Sequence, residues 1–147
     1  MADYFKERDK ETTIRLLGIR EDLPEFCDEF FVGIEPQTTA LTRLNYAYDL
    51  RIFFDYLVKR VSYFKLKKDS KDIELRDLER ITLTHLEAFI EYLSYYEFDG
   101  KEFSNGERGK ARKISTVRTF FKYFYNKFIK SGAVQLKKVR IFRQMRM

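Results

Sequence analysis

Cysteine and histidine occur once each, as Cys27 and His85, so no zinc centre of the usual Cys/His composition and no internal disulfide can be assembled from this chain. A lone cysteine fits a reducing compartment, and in an apolar stretch it reads as a core residue. No run of about eighteen apolar residues is present, and no basic start followed by an apolar stretch and a small-residue cleavage site, so neither a membrane span nor a signal peptide is expected. The expected location is cytoplasmic. Proline is confined to Pro24 and Pro36, which leaves everything after residue 36 free of the strongest helix breaker. Internal repeats and low-complexity tracts are also missing.

The chain holds 147 residues, 44% hydrophobic and 17% aromatic, enough for one real core and little room for a second. The formal charge of +6 is unevenly laid out. Residues 1–37 carry −5, residues 38–100 carry −1, and residues 101–147 carry +12. A basic block of that size is the footprint of a surface that approaches phosphates, although a solvated helix face with a basic tail accounts for the same charge.

Periodicity is helical throughout, and the pattern contains no strand signal. Ala47, Leu50, Phe54, Leu57 and Val61 recur every three or four positions and predict a long helix over about Leu41 to Phe64. Residues 65–71 read as a lysine-rich loop. Thr84 and Glu87 have capping-box spacing, before a shorter helix with Leu86, Phe89, Ile90 and Leu93 on one face, ending near Tyr96. Asp99-Gly100 and Asn105-Gly106 punctuate a loop. Ser104 and Glu107 repeat the capping-box spacing at the head of the most basic helix, about Glu107 to Lys130, with its apolar stripe at Ile114, Val117, Phe121, Phe124 and Phe128 and Gly132 as its stop. Near the front, Leu23, Phe26, Phe30 and Phe31 suggest a short acidic helix opened by Pro24. Residues 1–20 read as a poorly ordered charged lead-in, 21–132 as the helical domain and 133–147 as a basic tail.

Catalytic chemistry does not emerge from these residues. Gly106-Glu107-Arg108-Gly109-Lys110 fails as a phosphate loop, since two residues rather than four separate the glycines and Ala111 stands where a Ser or Thr must ligate magnesium. His85 falls in the first turn of a helix and reads as a surface or cap-adjacent residue. Asp28 and Glu29 lie on an acidic, exposed helix with nothing to place them in a cleft. The basic helix differs. At 100° per residue, Arg108, Arg112, Ser115, Thr116 and Thr119 fall roughly opposite its apolar stripe, and Lys110 joins them in its first turns. Such a face suits phosphates and a major groove, and the helix N-terminus adds free N–H groups. Arg118, Lys122 and Lys127 read as flanking residues that keep the helix soluble. Thr42, Arg43 and Asn45, at the start of the first long helix, form a weaker candidate surface. The aromatics of that helix read as core rather than as a base-stacking platform.

Two stretches carry a resemblance: Thr42-x-x-x-Tyr46-x-x-Asp49-Leu50-x-x-Phe53, and Arg112-Lys113-Ile114-Ser115-Thr116-Val117-Arg118-Thr119-Phe120-Phe121-Lys122-Tyr123-Phe124. In order and separation, over roughly residues 36–132, they resemble the N-terminal core-binding (SAM-like) domain of the tyrosine recombinase and phage integrase family. The resemblance implies an all-α, compact four- to five-helix bundle that binds double-stranded DNA at a recombination half-site. It places DNA contacts at Thr42, Arg43 and Asn45 and at Arg108, Arg112 and Thr116. It implies no cofactor, and it adds a catalytic domain and neighbouring recombinase protomers as partners. His85 is followed by Leu86, Glu87 and Ala88 rather than by the family's His-x-x-Arg motif, and the catalytic domain is expected to be absent from this chain, which is then no enzyme alone. The competing reading is a protein-interaction module that docks through the acidic helix bearing Phe26, Phe30 and Phe31.

Overall fold

The computed structural model describes residues 2–129. Five helices of eight or more residues form the described body: α1 (Ala2–Arg20), α2 (Cys27–Ile34), α3 (Ala40–Arg60), α5 (Leu83–Tyr92) and α6 (Glu107–Phe124), with a single turn, α4 (Ser62–Lys65), after α3. The fold is predominantly helical, as the periodicity predicts. It is not purely so. Tyr96–Phe98 (β1) and Lys101–Phe103 (β2) pair antiparallel, with Tyr96 opposite Phe103. Asp99 (φ 51°) and Gly100 (φ 75°) supply the two left-handed residues that a tight hairpin turn requires, so the Asp-Gly read as loop punctuation is a hairpin turn.

The front of the chain also departs from expectation. The stretch read as a poorly ordered lead-in is helix α1, which packs along α3. Its anchors are Leu16 and Ile19, both buried and three residues apart, and the rest of the helix is largely charged or exposed. Arg20 closes α1 onto α2, pairing with Asp28 at 3.2 Å and lying over the Phe31 ring.

Thr39 caps α3 by accepting the Thr42 N–H at 3.1 Å, and the helix ends where Val61 turns extended, a few residues before the predicted end. Two 3-10 turns, Ser70–Asp72 and Leu75–Arg80, carry the chain to α5. The cap of α5 lies two residues earlier than Thr84. Thr82 accepts the His85 N–H, and the His85 Nδ1 accepts the Thr82 N–H at 3.0 Å, so the imidazole takes the part expected of Glu87. This is the cap-adjacent role read for His85. Helix α6 begins at Gly106 without a side-chain cap, so Ser104 does not serve as one. It continues past Phe124 as a π-helical turn, Tyr125–Ile129, and the predicted stop at Gly132 and the tail 133–147 lie outside the described residues.

Helix α3 is central. Phe53 meets Phe89 of α5 (ring centroids 5.2 Å apart) and Phe121 of α6 (6.2 Å), and Phe54 meets Phe120 (5.7 Å). Phe30 of α2 packs edge-on to Phe120 at 5.2 Å. These rings are fully buried, each worth roughly 1.5–3 kcal/mol against exposure. Cys27 is in the same core, where burial pushes its thiol well above the ordinary range. Helix α6 packs on the middle of α3, with Asp49 against Arg112 and Thr116 and Phe53 against Phe121.

Candidate nucleic-acid interface

Seven residues of α6 are buried: Lys113, Ile114, Thr116, Val117, Phe120, Phe121 and Phe124. The opposite side is exposed and carries Arg108, Ala111, Arg112, Ser115, Arg118 and Lys122. Arg108, Arg118 and Lys122 form no ion pair with any described residue. Arg118 and Lys122, read from sequence as flanking, belong to this face. At 100° per residue Lys122 falls within about 40° of Arg108, a signal that was present in the spacing.

Arg112 is held from behind. Its Nη2 donates to Asp49 Oδ1 at 3.0 Å, with the arginine side chain 57% exposed and the aspartate 2%. Thr116 Oγ1 donates to the other oxygen, Asp49 Oδ2, at 2.8 Å. Burial pushes the Asp49 carboxyl above its ordinary value, against the opposing pull of the Thr116 hydroxyl and of the Arg112 and Lys113 charges. Thr116 is thus a buried partner of Asp49, 2% exposed, and cannot reach a nucleic acid, which corrects its place in the predicted contact set. Its side was decided by Asp49 on α3, which satisfies the hydroxyl inside the bundle.

Lys113 turns inward too, its Nζ donating to Asn105 Oδ1 at 2.9 Å. Burial lowers its pKa, with Asp49 opposing and Arg112 reinforcing the shift. Asn105 in turn donates from Nδ2 to the Leu93 carbonyl at 3.2 Å, tying the start of α6 to the end of α5. Gly109 leaves room for it, since a Cβ there would fall 3.2 Å from the Asn105 Cγ. Lys110 is half-buried and flanks the Arg118 edge of that face. It lines a shallow groove of about 290 Å³ beside α5, with Ile90, Glu107, Ala111, Ile114 and Arg118. Thr119 is half-buried and donates to the Ser115 carbonyl at 3.0 Å, so its hydroxyl proton is engaged within the helix.

The α3 candidates divide likewise. Arg43 Nη1 donates to the Glu35 carbonyl (3.2 Å), the Thr38 carbonyl (2.7 Å) and Thr38 Oγ1 (3.0 Å), bracing the turn that leads into the helix. Thr42 Oγ1 accepts from Thr39 Oγ1 at 3.0 Å as part of the cap. Asn45 is exposed, one turn before Asp49 on the same side of α3. Asn45 and Arg108 each precede a member of the Asp49–Arg112 pair by one turn of their own helix.

The docking surface imagined on α2 is not on display. Phe30 is 0% and Phe31 1% exposed, and Phe26 packs on Phe54 and Phe124. Among the described residues no group of three or more His, Cys, Asp or Glu is placed to hold a metal ion, and no helix is long and apolar enough to cross a membrane.

Over 84 residues, 56% of this chain, the sequence is 36% identical to the tyrosine recombinase XerC of Caldanaerobacter subterraneus subsp. tengcongensis. The chain is related to a tyrosine recombinase. The match covers 23% of that recombinase, so the chain spans less than a quarter of its relative's length. No family model matches the chain, and no solved structure does.

Proposed function

We propose that this chain binds double-stranded DNA through the exposed side of α6, as the core-binding module of a tyrosine-type site-specific recombinase, and that it has no catalytic activity alone. The observation that carries the reading is a helix with one side locked into the core and the other presenting Arg108, Arg112, Arg118 and Lys122 around Ser115. Cations without acidic partners gain most from phosphates, and an exposed helix fits a major groove. The relation to a tyrosine recombinase supports duplex DNA as the ligand and DNA recombination as the process. Strand cleavage is assigned to a separate catalytic domain, since the His85 Nδ1 is occupied in the α5 cap and lacks the neighbouring arginine of the His-x-x-Arg motif.

Fluorescence-anisotropy titrations against random duplex and single-stranded DNA, at several salt concentrations, test this. The expected result is a preference for duplex that weakens steeply with salt. Changing Arg118 and Lys122 to Ala should lower affinity for all duplexes and reduce the log–log salt slope by roughly 0.9 for each phosphate that is no longer neutralised. Absence of duplex binding at low salt would overturn the reading.

A further inference from the structure

We propose that Asp49 is the positioning residue that gives the α6 surface its DNA-sequence discrimination, by fixing the Arg112 guanidinium in one pose and cancelling its net charge. The proposal rests on the duplex-DNA reading above. An exposed arginine ordinarily samples many rotamers and grips any phosphate within reach. Here the guanidinium is tethered by Nη2 to a carboxylate that cannot follow it outward, because Asp49 is buried on the central helix and its second oxygen is held by Thr116. One N–H of the fork is spent on Asp49. The rest of the planar group stays exposed, the donor pattern that pairs with the O6 and N7 edge of a guanine.

The charge argument points the same way. A phosphate rewards net positive charge, and the Asp49–Arg112 pair has none, so it gains little from a backbone contact. A base edge rewards correctly placed donors, which the pair retains. Arg108, Arg118 and Lys122 have no carboxylate partner among the described residues and suit phosphates instead. The surface thus divides its labour, with free cations supplying affinity and the tethered arginine supplying discrimination.

Asp49→Asn separates these roles while sparing the fold. The amide oxygen can still accept from Arg112, and the amide nitrogen can donate to the Thr116 oxygen, whose own proton then turns to the Arg112 carbonyl, already 3.3 Å away. The experiment selects a preferred duplex from a random pool with the full wild-type chain. Dissociation constants for that duplex and a scrambled one are then measured for wild type, Asp49→Asn, Arg112→Lys and Arg112→Ala. Asp49→Asn is expected to bind scrambled DNA more tightly than wild type, with a steeper salt dependence, while its preference for the selected duplex falls about tenfold. Arg112→Lys, which keeps a cation but loses the fork, should lose more affinity for the selected duplex than for the scrambled one. A parallel fall in both affinities for Asp49→Asn would show a merely structural role and overturn the assignment. So would an unchanged preference in Asp49→Asn or Arg112→Lys. Failure of the wild-type chain to bind any duplex removes the DNA reading itself, an outcome distinct from duplex binding with an unaltered ratio.

Discussion

Gly33 and Tyr123 lie against each other, the glycine on α2 and the tyrosine near the end of α6, so close that a Cβ on Gly33 would fall 2.5 Å from the Tyr123 Cε2 and 2.6 Å from its Cζ. The ring cannot easily withdraw. Its hydroxyl donates to the Glu29 carbonyl at 3.0 Å, and it packs edge-on against Phe30 and Phe124. Absence of a side chain at residue 33 is therefore what lets α2 seat on α6. Gly33→Ala should cost about 1–3 kcal/mol in urea unfolding. The same change in a Tyr123→Ala background should cost much less. Equal penalties in both backgrounds would mean that the ring is not the obstacle.

Asp77 is a buried carboxylate with three donors. Tyr63 Oη lies 2.6 Å from Oδ1, and the Glu74 N–H and Lys67 Nζ lie 2.8 Å and 3.0 Å from Oδ2. Burial works to raise its pKa, but the Tyr63, Glu74 and Lys67 contacts outweigh it and the net direction is down. A carboxyl lowered on folding contributes stability above its unfolded pKa, and that stability is lost as pH falls through the folded value. Asp77→Asn should lower stability by about 1–2 kcal/mol at neutral pH. Its stability curve should converge on the wild type at acid pH, below the ordinary aspartate range, and thermal melts across that range provide the check.

His85 acts in the same sense at a higher pH. Burial holds its pKa below the ordinary value of 6.5, and its Nδ1 must stay unprotonated to accept the Thr82 N–H. The unfolded chain then takes up a proton more readily than the folded one, so stability present above pH 6.5 declines as pH falls below it. Because His85 is the single histidine, its imidazole NMR signal should titrate alone, with a midpoint below 6.5. A midpoint at or above that value would remove the cap from the acid response.

If α2 docks on a partner, the test residue is Val32, which is 62% exposed, and not Phe30 in the core. Phe30→Ala should cost about 3–5 kcal/mol through the cavity it leaves. Val32→Asp should leave the melting temperature nearly unchanged. A concentration-dependent dimer lost in Val32→Asp, seen by sedimentation, would establish α2 as an interface.

The parts of this fold that were legible in the sequence are those whose signal is local and repeated. Leu50, Phe54 and Leu57 on α3 and Val117, Phe121 and Phe124 on α6 recur over several turns, and all of them are buried. Helix α1 was missed because only Leu16 and Ile19 of its short apolar stretch are buried, beside exposed Ile14 and Leu17, and the helix is held by α3 rather than by its own periodicity. The local capping rule favours Thr84, with Glu87 three residues on, whereas the cap at Thr82 is completed by the His85 imidazole, a partner that rule does not count. At the interface, Arg108, Arg112 and Ser115 were placed by the helical period alone. Thr116 lies at the border of the two faces, and its side was set by a carboxylate 67 residues away, with no local trace except an acid inside the α3 stripe.

The packing of α6 on α3 bears on how the chain folds. The two helices are far apart in sequence, with residues 61–106 between them. The Asp49–Arg112 contact closes 63 residues, and the Phe53–Phe121 and Phe54–Phe120 ring pairs close similar spans. Ordering that much chain before those contacts can form raises the entropic part of the barrier. A helical hairpin of neighbouring elements cannot nucleate this core by itself, and the bundle should fold more slowly than an up-and-down arrangement of the same helices.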